Sequence, residues 1–142
     1  MGKDRRMQKG TPKATNLLWL LRLIAVVHAL VALAQAVFAG GLLEGSAGAL
    51  NLHQITGTSI ITSISLLQVI VAVICWKRGQ HAAWFAAASA GLFLAEAVQI
   101  GLGFNDQLTL HVPLGTAIFG VALVLAFASL RHFEVKGAPG PA

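Results

Sequence analysis

The chain has 142 residues, of which 56% are hydrophobic and only 11% charged, with a mean hydropathy of +0.76, a net charge of +5 and a pI near 10.2. Too few polar residues are present to cover a small soluble domain, and no Gly-rich phosphate loop or serine-nucleophile motif supports hydrolase or kinase chemistry. The positive balance brings no nucleic-acid reader motif with it, so nucleic acid is not an expected partner.

The first sixteen residues, 1–16, form a basic segment containing Lys3, Arg5, Arg6, Lys9 and Lys13. A membrane-spanning helix takes roughly 20 predominantly apolar residues, and four runs qualify: 17–39, 52–76, 82–102 and 108–130. The first run exceeds the apolar core of a signal peptide and is followed by three more, so it is expected to be retained. The connections 40–51, 77–81 and 103–107 are too short for a second domain. The predicted fold is therefore all-α, an integral membrane four-helix up-and-down bundle over 17–131, and a Gly/Pro/Ala-rich tail closes the chain at 132–142.

Lysine and arginine are confined to the N-terminal segment, the connection at Lys77 and Arg78, and the C-terminal end at Arg131 and Lys136, apart from Arg22 near the start of the first span. The other two connections carry only Glu44 and Asp106. The positive-inside rule then predicts both termini in the cytoplasm and the bilayer as the surroundings. Arg22 is expected to snorkel to the headgroups, and Trp19, Trp76 and Trp84 fall toward the same side, as an aromatic belt would. His81 and His132 are expected to be solvated flanks on that side.

Two stretches resemble one another: Leu52-His53-Gln54-Ile55-Thr56-Gly57-Thr58 opens the second span and Leu110-His111-Val112-Pro113-Leu114-Gly115-Thr116 opens the fourth. Upstream, Ala34-Gln35-Ala36-Val37 echoes Ala95-Glu96-Ala97-Val98, which pairs Gln35 with Glu96. The chain reads as two tandem helical hairpins, parallel repeats related by an axis along the membrane normal. His53 and His111 are level with each other near the outer face. With neighbouring helices about 8–10 Å apart, the second and fourth lie across a diagonal of about 12–14 Å, too wide for the imidazoles to touch and wide enough for a flat cofactor. Gly57 and Gly115, four residues on and on the same helix face, remove side chains that would strike a planar ring. Pro113 is expected within a first turn that tolerates its missing N–H.

This pattern resembles the four-helix haem domains of bacterial membrane cytochromes, in particular one half of a heme A synthase, and it is similar to a group of small four-span bacterial membrane proteins with histidines opening the second and fourth spans. The resemblance covers roughly 17–130. It implies a single haem b with His53 and His111 as axial ligands to its iron, a role in electron transfer or haem handling, residence in a bacterial cytoplasmic membrane, and quinone or respiratory-chain membrane proteins as partners. The synthase's glutamate is replaced here by Leu50 and Leu108, and its loop cysteine pair is missing, Cys75 being the only cysteine. Its oxidising chemistry is not carried over, and an electron-transfer or structural protein is expected in place of an enzyme.

Two alternatives stand beside the haem reading: a membrane scaffold or assembly subunit without cofactor, and a small proton-linked carrier using Glu96. An acid within a span is costly unless protonated, paired or hydrated. Glu96 and Gln35 are candidates to orient a ligating imidazole, or to bond to each other as interhelical glue. His28 lies deep in the first span with no second deep histidine to join it. The polar second span, from Thr56 to Gln68, is expected to be buried among helices.

Overall fold

The computed structural model describes residues 16–131; the basic segment 1–15 and the tail 132–142, with His132 and Lys136, lie outside the described residues. Four helices cross the molecule: Asn16–Leu43, Ala47–Lys77, Ala83–Phe104 and Leu108–Leu130. Each is long and apolar enough to span a bilayer. They are all longer than or equal to the runs read from the sequence, because lipid-facing leucines and alanines continue past the hydropathic centre and a helix satisfies its own backbone polar groups. The difference is greatest at 40–51, read as a connection, where only residues 44–46 separate the first two helices.

Tight turns fold each helix back on the last. Gly45 and Gly79 adopt positive φ (83° and 66°) at the first two turns, a conformation glycine reaches without a Cβ penalty. At the third, Asp106 takes φ 55°, one of the few side chains that tolerate it. Each helix packs on its two neighbours, and the first closes the ring against the fourth. The second and fourth are therefore diagonal.

Small residues make that closure possible. Ala25, Ala29 and Ala32 on the first helix and Ala122 and Ala126 on the fourth are buried at helical spacing, letting backbones approach as they do in lipid, where large apolar groups gain nothing by leaving the hydrocarbon. Leu21, Phe85, Leu92 and Leu125 fill the remaining interior. Large apolar side chains face outward instead: Leu23, Leu30 and Val37 on the first helix are 60–66% exposed. That inversion requires hydrocarbon around the bundle.

One end of the bundle gathers the described basic residues and tryptophans. Arg22 does not snorkel; it is buried and donates from Nε to the Ser129 carbonyl at 3.0 Å, in the last turn of the fourth helix, where carbonyls lack amide partners. Its guanidinium also lies 4.7 Å from the Trp19 ring centre. His81 is likewise buried, not solvated, with its ring 4.4 Å from that of Phe85. Cys75 is fully buried among the helices.

The second helix is not uniform. Residues Thr56–Ile61 form a π-helical segment, and the hydroxyls of Thr56 and Thr58 bond to the carbonyls of Leu52 and Gln54 four residues back. Threonine hydroxyls that compete in this way for main-chain acceptors loosen the α-pattern, and π-segments are frequent at functional sites.

Candidate functional site

The histidine pair lies at the end of the bundle opposite the basic residues. His53 is in the second turn of its helix and His111 in the first turn of the fourth. Although their helices are diagonal, the two imidazoles reach inward until their ring centres are 6.0 Å apart, inclined at 61°. The diagonal of about 12–14 Å anticipated from packing describes the axes; the side chains span it to an edge-on contact, so the imidazoles are not too far apart to touch.

Each ring is anchored by its Nδ1. His53 Nδ1 lies 3.3 Å from the Gln35 carbonyl oxygen and His111 Nδ1 lies 3.0 Å from that of Gln99. A carbonyl oxygen only accepts, so each Nδ1 carries a proton and donates it. In the neutral ring this leaves Nε2 with a free lone pair, the tautomer that ligates metals.

The glutamines also revise the internal repeat. Gln35 corresponds in space to Gln99, not to Glu96. Gln35 donates from its side chain to Thr56, next to the His53 turn, and Gln99 donates to the His111 carbonyl at 2.9 Å. The glycines belong to the same device. A Cβ on Gly57 would lie 3.4 Å from Gln35 Oε1, and one on Gly115 would lie 2.8 Å from Gln99 Nε2. Gly57 and Gly115 thus admit the glutamine side chains. The glycine beneath an imidazole is Gly103, where a Cβ would meet His111 Cε1 at 2.9 Å. Pro113 is the sixth residue of its helix, past the first turn, and removes the amide that would bond the Thr109 carbonyl.

Neither Gln99 nor Gly103 was apparent as a site residue from the sequence. The signal was present: the Gln35-to-His53 separation is 18 residues and the Gln99-to-His111 separation 12, and the second hairpin has the shorter connection. The more obvious Ala-x-Ala-Val echo masked it.

A second cluster lies at mid-depth. His28 is fully buried, with Nε2 2.7 Å from Glu96 Oε1 and Nδ1 3.0 Å from Gln68 Oε1. Gln68 Nε2 donates to Ser89 Oγ at 3.1 Å. The expected contact between Glu96 and Gln35 does not form: Glu96 turns to His28, while Gln35 bonds to Thr56 and its carbonyl to His53. Ser65 and Gln68 are buried as the polar second span predicted, whereas Ser59 and Ser63 are exposed.

The resemblance implies a metal centre held by these two imidazoles. Two imidazoles with free Nε2 lone pairs, each about 2.0–2.1 Å from a shared metal, place their ring centres about 6.4 Å apart once the ring radii are added, close to the observed 6.0 Å. Among the described residues no group of three His, Cys, Asp or Glu side chains exists that could complete a bare ion's coordination. No family model, curated protein or solved structure matches the chain.

Proposed function

We propose that this multi-pass membrane protein binds one haem b through His53 and His111, as an electron-transfer or haem-handling protein in a bacterial cytoplasmic membrane. The observation that carries the reading is the pair of inward-facing imidazoles at 6.0 Å, each with its Nδ1 proton committed to a main-chain carbonyl. The described cations Arg22, Lys77, Arg78 and Arg131 collect at one end and Glu44 and Asp106 at the other. This favours both termini in the cytoplasm and the histidine pair near the outer face.

When bound, the haem supplies a one-electron redox centre, and all other functions fall to the chain. His53 and His111 would hold the haem iron, and the Gln35 and Gln99 carbonyls, which accept from Nδ1, would fix the tautomer and raise the basicity of the ligating nitrogens. Helix ends rich in Leu42, Leu43, Leu50 and Phe104 surround the site, so a membrane quinone or a respiratory-chain membrane protein is a suitable partner.

The test is an absorption spectrum of the full chain purified in detergent from haem-replete cells. A Soret band that sharpens on reduction and is lost in both His53→Ala and His111→Ala is expected. A colourless protein overturns the reading and leaves the scaffold without cofactor.

A further inference from the structure

The basic end of the bundle holds a buried charge without a counter-ion. Arg22 is 7% exposed, and of its N–H groups only Nε–H has an acceptor among the described residues, the Ser129 carbonyl. The acids among those residues stand elsewhere: Glu44 and Asp106 lie at the opposite end, and Glu96 at mid-depth is engaged by His28. A buried cation is costly unless an anion meets it. Its two Nη nitrogens are not sealed in, so a group from outside the fold reaches them. Arg131, two residues beyond Ser129, is exposed on the same end, and Lys3, Arg5, Arg6, Lys9 and Lys13 precede the first helix in the sequence.

From this end a furrow runs down the bundle between the first and fourth helices. It is an apolar groove of about 220 Å³ whose lining includes Ala29, Leu30, Leu33, Leu123, Ala126 and Phe127. Ala29 and Ala126 are buried and form its floor, while the four larger side chains are 39–60% exposed and form its walls, so the groove opens sideways into hydrocarbon. Arg22 stands eleven residues before Leu33, about three turns away on the same helix face. Its acceptor Ser129 is one residue from the end of the fourth helix. The guanidinium therefore closes the groove at the level where headgroups begin. Trp19, with its ring centre 4.7 Å from that guanidinium, continues the same face outward, where an interfacial tryptophan belongs.

We propose that this groove binds one anionic phospholipid, with an acyl chain between the first and fourth helices and the phosphate on the Arg22 Nη nitrogens beside Arg131. A guanidinium presents paired donors that match two phosphate oxygens, and basic pockets between membrane spans suit acidic headgroups. A zwitterionic phospholipid offers the same chains and phosphate but adds a cation, which the surrounding arginines and lysines repel. The lipid would supply the counter-ion that the chain withholds from Arg22. The site lies at the end remote from His53 and His111 and stands whether or not they bind haem.

Native mass spectrometry of the full chain, in micelles doped with equal amounts of phosphatidylglycerol and phosphatidylcholine of the same acyl chains, provides the test. One phosphatidylglycerol per chain is expected to be retained in preference to phosphatidylcholine. Arg131→Gln, at an exposed position, is expected to weaken that preference about fivefold, the effect of one basic side chain near an anionic lipid surface. Leu123→Trp fills the groove from its exposed wall and is expected to remove the retained lipid from a folded bundle. Arg22→Gln is expected to abolish the preference. Equal retention of the two lipids would overturn the proposal. So would a preference that Leu123→Trp leaves unchanged, since attraction to the basic segment alone gives that result, or one that excess inorganic phosphate removes, which points to a free anion at Arg22. Leu123→Trp and Arg131→Gln decide the matter even where Arg22→Gln does not fold.

Discussion

The two histidine sites of this bundle are held in opposite ways. At one end, half-buried His53 and His111 anchor to main-chain oxygens of adjacent helices and keep their other nitrogen free. At mid-depth, His28 is fully enclosed, with both nitrogens engaged by side chains from the second and third helices. Main-chain anchoring fixes a tautomer while leaving the ring available to a ligand. Side-chain enclosure ties three helices together and leaves the ring nothing to offer but a proton. The same residue thus keeps one nitrogen unengaged in one place and serves cohesion between helices in the other.

The comparison predicts unequal costs for removing partners. Glu96→Leu strands His28 Nε2 in the interior and is expected to cost about 3 kcal/mol, as for a broken buried pair, more than the roughly 0.6 kcal/mol of an ordinary interhelical hydrogen bond in lipid. The double variant His28→Leu with Glu96→Leu is expected to recover most of that loss. Equilibrium unfolding in mixed micelles measures both, and a single variant as stable as the parent would erase the contrast.

Gly103→Ala comes next. Its Cβ would sit 2.9 Å from the His111 ring, so the ring must move, at an expected cost of about 1–2 kcal/mol and with loss of the Nδ1 bond to Gln99. The His111 ¹⁵N shifts would report the lost bond. His53→Ala is expected to cost under about 1 kcal/mol in the same unfolding assay, because a half-exposed ring with one hydrogen bond adds little cohesion. A larger loss would make the pair structural in the same sense as His28.

The smallest effect lies at the basic end. Burial holds the His81 imidazole below its ordinary value of 6.5, and the nearby Arg22 reinforces the shift. Folding favours the neutral ring. Its contribution is complete above about pH 6.5 and is lost as pH falls toward the lower folded-state value. Thermal stability is therefore expected to decline modestly from pH 7.5 to pH 5, and His81→Phe to flatten that slope.

The spans and their alternation were readable because twenty apolar residues in a row admit few other structures. The level of His53 and His111 was readable from the repeat. Which face of each helix turns inward was not, since both the lipid side and the core side are apolar and hydropathy draws no line between them. The polar residues themselves draw it. Counted from the basic end, His28 stands twelve residues above Asn16 and Glu96 thirteen above Ala83, so equal depth already paired them. The fate of Arg22 was hidden for another reason: its acceptor is a main-chain carbonyl at Ser129, and carbonyl availability depends on where a helix stops.

The π-helical stretch Thr56–Ile61 has a rotational consequence. Such a stretch accommodates one residue more than the α-helix it replaces, which offsets everything beyond it by about 100° around the helix axis. His53 lies on one side of this offset and Gln68 on the other, so the gearing that points Gln68 at His28 would, in an uninterrupted α-helix, aim His53 elsewhere. Deleting one residue from the stretch, Ser59 for example, is a change of phase with almost no change in chemistry. It would leave the mid-depth cluster meshed and swing His53 away from His111.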